Sequence, residues 1–252
     1  MTLDARRARL WQAMGLGPIY QLRSQVSVEL RAQRMQAETE PALRVDRVVP
    51  DRAATIAGLP WNELREEVAR CRACSLCETR KQTVFGVGNV NATWMLIGEA
   101  PGSEEDQRGE PFVGQAGRLL DNMLRSLGMT REGQTPQSVY IANVLKCRPP
   151  GNRNPQPEEV ARCEPFLRRQ VELVNPAVVV VMGRFAAQSL LGTDASIANL
   201  RGRVHRIISA GREIPVIVTY HPAYLLRNLA DKAKSWADLS LARATHSAGA
   251  TR

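Results

Sequence analysis

Apolar positions change their period along the chain. In the first 35 residues they recur at helical intervals. Leu3, Leu10, Trp11 and Met14 form one set, Gly15, Gly17 and Pro18 interrupt it, and Leu22, Val26 and Leu30 resume it at every fourth residue. This predicts an N-terminal helical extension in two pieces, residues 1–35. Residues 36–60 mix proline, charge and small side chains and predict a linker. Beyond it, four short apolar runs at 94–97, 139–144, 177–182 and 216–220 read as buried strands. The third holds Val178-Val179-Val180-Val181, apolar throughout, as in a strand covered on both faces. Helical patterns fill the intervals at 116–127, 157–174 and 184–191, the second opening on Pro157 with Glu158-Glu159 behind it. Alternating strand and helix predict a three-layer α/β/α fold around a central, mainly parallel four-stranded sheet. The domain is expected to span 61–240, followed by a C-terminal tail, 241–252.

In such a sheet ligands sit beyond the carboxyl ends of the strands. The unusual polar residues gather there. The first strand runs into Gly98-Glu99-Ala100-Pro101-Gly102, the second into Asn143 and then Lys146-Cys147-Arg148, the fourth into His221-Pro222-Ala223-Tyr224. Three strand ends carrying such residues at one edge point to a single pocket.

The totals narrow the class. A chain of 252 residues, 44% hydrophobic, can bury one sizeable core and an appendage. No apolar run reaches the length of a membrane span, and Met1-Thr2-Leu3-Asp4-Ala5-Arg6-Arg7 leads into no secretory h-region, so a cytoplasmic protein is expected. A net charge of +9 suits a polyanionic partner such as nucleic acid, or a surface of solvated arginines. At 5% aromatic content the chain is poorly equipped as a stacking platform for long single strands.

The cysteines carry the strongest signal. Cys71-x2-Cys74 and Cys147-x15-Cys163 form two remote pairs, a soft thiolate set that suits iron–sulfur or zinc better than disulfides in a reducing compartment. Zinc ribbons pair two short knuckles, and the second spacing here is long. Cys77 follows Cys74 as in a ferredoxin run, but no cysteine continues it, so Cys77 is set aside as surplus.

Other residues admit two readings. Gly98 and Gly102 fit an ordinary turn after a strand or a close approach of backbone to ligand. Glu99, Glu104, Glu105 and Asp106 fit a solvated helix start, or one of them orients water in a pocket. Phe112, in a loop between Pro111 and Gly114, is a core plug or a plate on which a flat base stacks. Asn143, inside an apolar strand, bonds local backbone or reads the alternating edge of a pyrimidine. His221 is structural or donates to a developing negative charge. Leu225-Leu226-Arg227 is a helix start or a wedge with a cation beside it.

Together these stretches resemble the family 4 uracil-DNA glycosylases, the iron–sulfur branch of their superfamily. The likeness covers residues 71–228 and rests on Cys71-x-x-Cys74-x-Leu76, Val84-Phe85-Gly86, Gly98-Glu99-Ala100-Pro101-Gly102, Pro111-Phe112-Val113-Gly114, Asn143-x-x-Lys146-Cys147-Arg148-Pro149-Pro150 and His221-Pro222-Ala223-Tyr224-Leu225-Leu226. The resemblance implies an α/β/α hydrolase that excises uracil from single- or double-stranded DNA. It implies a [4Fe–4S] cluster on Cys71, Cys74, Cys147 and Cys163. It also implies a stacking ring at Phe112, a uracil-reading amide at Asn143 and the second-motif histidine at His221. Gly98, Glu99 and Ala100 fall in the first motif, and Glu105 matches an acidic position near the uracil edge. Arg148 and Leu225-Leu226-Arg227 are the expected DNA contacts. The better-known branch orients water with an aspartate where Ala100 stands; family 4 shares this alanine. The covalently attaching branch carries a histidine-containing basic insertion after the second strand. Here Gly151-Asn152-Arg153-Asn154-Pro155 occupies that place, which points to turnover. A monomer is expected, without membrane contact, whose first 60 residues are a candidate docking segment for another protein. Covalent or non-catalytic uracil-DNA binding, iron–sulfur electron transfer and zinc-held DNA binding are the competing classes.

Overall fold

The computed structural model of the protein describes residues 51–249. The helical extension expected at 1–35, linker residues 36–50 and the last residues of the tail, 250–252, lie outside the described residues. In chain order the elements are α1 (Arg52–Ala57), α2 (Trp61–Arg70), α3 (Leu76–Thr79), β1 (Val87–Gly88), β2 (Trp94–Gly98), α4 (Ser103–Arg108), α5 (Gln115–Ser126), β3 (Tyr140–Asn143), α6 (Pro157–Val174), β4 (Val178–Met182), α7 (Arg184–Leu191), α8 (Ile197–Leu200), β5 (Val204–Ser209), β6 (Arg212–Thr219), α9 (Pro222–Arg227) and α10 (Lys232–Gly249).

The strands form one sheet in the order β1-β3-β2-β4-β6-β5. The central four are parallel, and the two edges pair antiparallel. Alternate side chains serve opposite layers, as the pleat requires. Met95, Ile97, Val179, Val181, Val216 and Val218 pack with Leu167 and Val171 of α6 and Ala186 and Ala187 of α7. Trp94, Leu96, Val178, Val180 and Ile217 pack with Leu120 and Leu124 of α5 and Leu239 and Ala242 of α10. Each core valine so buried contributes about 1.5–3 kcal/mol. The α/β/α class is therefore observed.

The sheet has six strands, not four. β1 spans two residues, too few to carry a period. β5 alternates exposed and half-buried positions and belongs to a hairpin with β6, closed by Ala210 and Gly211 at φ 48° and 76°. β6 starts at Arg212 rather than 216, because its first residues lie toward the exposed end of that hairpin. The expected linker ends early: α1 buries Ile56, and the Arg52 guanidinium donates to Arg162 O of α6 at 2.6 Å. The expected tail is largely helix, since α10 runs to Gly249 with Leu239 and Ala242 on its sheet-facing side. Among the described residues no helix is long and apolar enough to cross a membrane.

Register aligns the strand ends. Gly98 of β2 lies opposite Asn143 of β3, and Met182 of β4 opposite Thr219 of β6. The parallel strands thus finish at one level, and the segments that leave them meet.

Candidate active site

A cavity of about 430 Å³ opens beyond these strand ends, lined by Glu99, Phe112, Asn143, Arg153, His221 and Tyr224 among others. Its floor is Gly98. A Cβ there would collide with Asn143 Oδ1 and come within 2.6 Å of the Phe112 ring, so only a glycine leaves room. Phe112 adopts φ 56°, a left-handed conformation unusual for an aromatic residue. Its carbonyl lies where a Cβ on Gly117 would sit, so α5 can pass close beneath the loop.

Asn143 is 2% exposed, and its Oδ1 has no hydrogen-bond partner among the described residues. An orphaned buried acceptor at the end of a core strand is costly unless a ligand completes it.

His221 caps α9. Its Nδ1 accepts the Ala223 N–H at 3.1 Å, so in the neutral ring the proton resides on Nε2. Burial lowers its pKa to about 4, against the opposing pull of Glu105. The ring is therefore a neutral donor with its tautomer fixed by the backbone. It stacks against Phe112 with centroids 5.3 Å apart and planes 28° from parallel.

The two candidate carboxylates differ. Glu105 binds backbone with both oxygens: Oε1 accepts Val113 N–H and Gly114 N–H at 3.0 and 3.2 Å, and Oε2 accepts Gly102 N–H at 3.1 Å. It straps the Phe112 loop to the turn after β2, and this engagement argues against its expected role as the group that orients water. Glu99 lines the cavity half-buried, and no hydrogen bond from the described residues reaches its carboxylate. Burial raises its pKa, with Arg184 partly offsetting. Of the two it is the carboxylate whose oxygens stay unengaged at the cavity.

The expected DNA contacts divide. Leu226 and Arg227 are exposed beside the cavity. Leu225 is 1% exposed on the inner side of α9, so it cannot enter a duplex; helical spacing turned it toward α5 and α10. Arg148 lies off the cavity wall, its Nε donating to Asn152 Oδ1 at 2.7 Å. Sequence reasoning passed over Arg153, which lines the cavity and pairs through both terminal nitrogens with buried Glu159 at 2.9 and 2.5 Å. The signal available was a cation in a proline-bounded loop beyond a strand's carboxyl end.

A second cavity collects the thiols. Cys71, Cys74, Cys77, Cys147 and Cys163 all line it, none in a disulfide. The expected surplus residue, Cys77, thus stands at the same cavity as the other four. Among the described residues no three histidine, cysteine, aspartate or glutamate side chains close on a point as a single metal ion requires. Burial pushes Cys163 up to about 12 and raises Cys147 and Cys74. Donors partly compensate at two of them: Arg80 Nη1 reaches Cys147 Sγ at 3.0 Å and Lys146 N–H reaches Cys163 Sγ at 3.3 Å. Arg52 Nη2 lies 3.6 Å from Cys71 Sγ. Thiols gathered at one cavity, two of them buried and three met by N–H donors, fit a thiolate-bound iron–sulfur core, whose charge replaces their protons.

Comparison with known proteins agrees with this geometry. A sequence model described as the uracil DNA glycosylase superfamily matches residues 85–240. The chain is 46% identical over 169 residues to a type-4 uracil-DNA glycosylase of Archaeoglobus fulgidus, covering 66% of this chain and 82% of that one. It is 44% identical over 170 residues to the type-4 enzyme of Thermotoga maritima, covering 67% and 84%. For that of Sulfurisphaera tokodaii the values are 41% over 171 residues, covering 66% and 76%. The chain belongs to the uracil DNA glycosylase superfamily, in its type-4 branch.

Proposed function

We propose that this protein hydrolyses the N-glycosidic bond of uracil in DNA, releasing the free base and leaving an abasic site. One observation carries the reading: an unpartnered, buried Asn143 Oδ1 shares a cavity with an imidazole locked as an Nε2–H donor. Uracil presents N3–H and flanking carbonyl oxygens, the complement of an amide and an imidazole donor.

Duplex DNA hides the bond, so the nucleotide must leave the stack at a cost of a few kcal/mol. Arg153 and Arg227 at the cavity hold phosphates, with Arg148 outside it, and exposed Leu226 fills the vacated space. Phe112 covers one face of the base, and Asn143 reads its edge over the bare backbone of Gly98 and Ala100. As the bond lengthens, negative charge collects on the uracil. The His221 Nε2–H meets it without first having to lose a proton, because the ring is already neutral. Glu99 orients the attacking water, its raised pKa improving it as a base.

Cys71, Cys74, Cys147 and Cys163 are the proposed holders of a [4Fe–4S] cluster. When bound, it supplies a covalent tie between the segment after α2 and the start of α6. The protein acts as a monomer in the cytoplasm, on single- or double-stranded DNA, and its N-terminal extension offers a docking segment to another protein.

The test is a labelled oligonucleotide bearing one deoxyuridine, incubated with iron-replete protein and then cleaved with alkali. A cut at the deoxyuridine is expected; an intact strand sinks the proposal.

A further inference from the structure

Lys146 is 1% exposed, an unusual place for an ammonium group. It is held from several sides. Nζ donates to the Asn143 carbonyl at 2.7 Å and to Gln170 Oε1 at 2.6 Å. Gln170, itself fully buried, turns its amide nitrogen to Phe85 O at 2.9 Å and the Tyr140 hydroxyl at 3.1 Å. The backbone of Lys146 works in two further directions. Its N–H donates to Cys163 Sγ, and its carbonyl accepts the Val84 N–H at 2.8 Å. One residue therefore touches the thiol cavity with its main chain and the last residue of β3 with its side chain.

We infer that Lys146 is a positioning residue for base recognition, fixing the Asn143 peptide from beneath and joining the uracil cavity to the cysteine cavity through one buried network. The inference rests on the proposed reading of uracil by Asn143. A carbonyl clamped by an ammonium cannot swing, and with its peptide plane fixed the Cα–Cβ bond of Asn143 points one way. Base recognition needs that direction held within about 0.5 Å and 10–20°. β3 is four residues long and ends at Asn143. Beyond it Val144 N–H bonds Gly98 O, and the Lys146 ammonium holds the Asn143 carbonyl. Gln170 keeps the ammonium aimed, so α6, which lends no side chain to the cavity lining, contributes to the placement of Asn143. A lysine kept only for packing would use its stem and release its head to solvent; here the head is the buried end.

The experiment compares Lys146→Met, Gln170→Leu and Asn143→Ala with the unaltered protein, each reconstituted with iron. Four quantities are read: iron per chain, visible absorbance, KM for deoxyuridine DNA and single-turnover rate. Lys146→Met is expected to keep its iron and its KM while its rate falls about 10- to 100-fold, the range set by a misplacement of about 1 Å. Gln170→Leu, which retains the ammonium, is expected to fall less in rate with iron unchanged, and it decides the matter if Lys146→Met does not fold. A rate loss that merely follows iron loss overturns the inference, since Lys146 then serves the cysteine site alone. Wild-type rates in both network variants, with Asn143→Ala slow, overturn it by itself. A fast Asn143→Ala overturns the reading of the cavity, and this inference with it.

Discussion

Asn143 and Cys147 lie four positions apart, yet the cavities they serve are finished in opposite ways. The cavity at the strand ends leaves groups open: Asn143 Oδ1 has no partner, and no hydrogen bond from the described residues meets the Glu99 carboxylate. The cysteine cavity brings donors to its sulfurs from Arg52, Arg80 and the Lys146 backbone. A site that awaits a transient ligand must keep unsatisfied groups for it, at some expense in stability. A site that holds a permanent group completes its surroundings and gains stability from it. The two cavities should therefore respond to substitution on different axes, one in rate and the other in folding.

The largest effect is expected at the cysteines. Cys163→Ser should lose iron and lower the melting temperature by about 10 °C or more, as when a metal tie is removed from a domain of this size. Calorimetry with iron analysis checks it. A variant that melts normally would erase the contrast between the two cavities. Next comes Asn143→Ala, whose excision should slow about 100- to 1000-fold in single-turnover assays, as for loss of one preorganised group. Its melting temperature should hold or rise, because the substitution removes a buried acceptor that has no bond to lose.

The pH response of His221 is smaller. Its folded pKa of about 4 lies below the ordinary value of 6.5. The unfolded chain thus takes up the proton first. The associated stability is complete above about pH 6.5, declines as pH falls and is gone below about 4, amounting to roughly 3 kcal/mol at most. Urea titrations from pH 8 to 4 should show this decline in the unaltered protein and lose that part of it in His221→Gln. Excision, limited by a neutral donor, should show no step near pH 6.5. Gly98→Ala closes the series. The added methyl meets Asn143 and Phe112 and should cost about 1–3 kcal/mol of base binding, read as an about 5- to 150-fold weaker uracil product inhibition.

Much of this was legible in the sequence because it is periodic or because it is rare. The four parallel strands announced themselves as apolar runs, and helix 157–174 appeared at its observed bounds because Pro157 and Glu159 mark its start. The rule that ligands gather at strand carboxyl ends brought Glu99, Asn143 and His221 to one place from sequence alone. What stayed hidden has no period. β1 is too short, β5 is half-polar, and Ile56 is a single apolar anchor in a polar segment. The burial of Leu225 next to exposed Leu226 depends on which way α9 rolls, which adjacency in sequence does not specify. The difference between Glu99 and Glu105 lies in backbone amides contributed from three to nine residues away. Lys146 was visible only as part of the stretch that follows the second strand, and its partners were not.

The pairing of Gly98 with Asn143 has one more effect. Neighbouring strands of a sheet stand about 4.8 Å apart. The carboxylate that comes after one strand and the amide that ends the next are therefore spaced by the lattice of the sheet, not by the loops above it. Evolution can exchange these side chains for others, but it has little means of moving them apart. New chemistry on this scaffold must arise by replacement at fixed stations rather than by rearrangement.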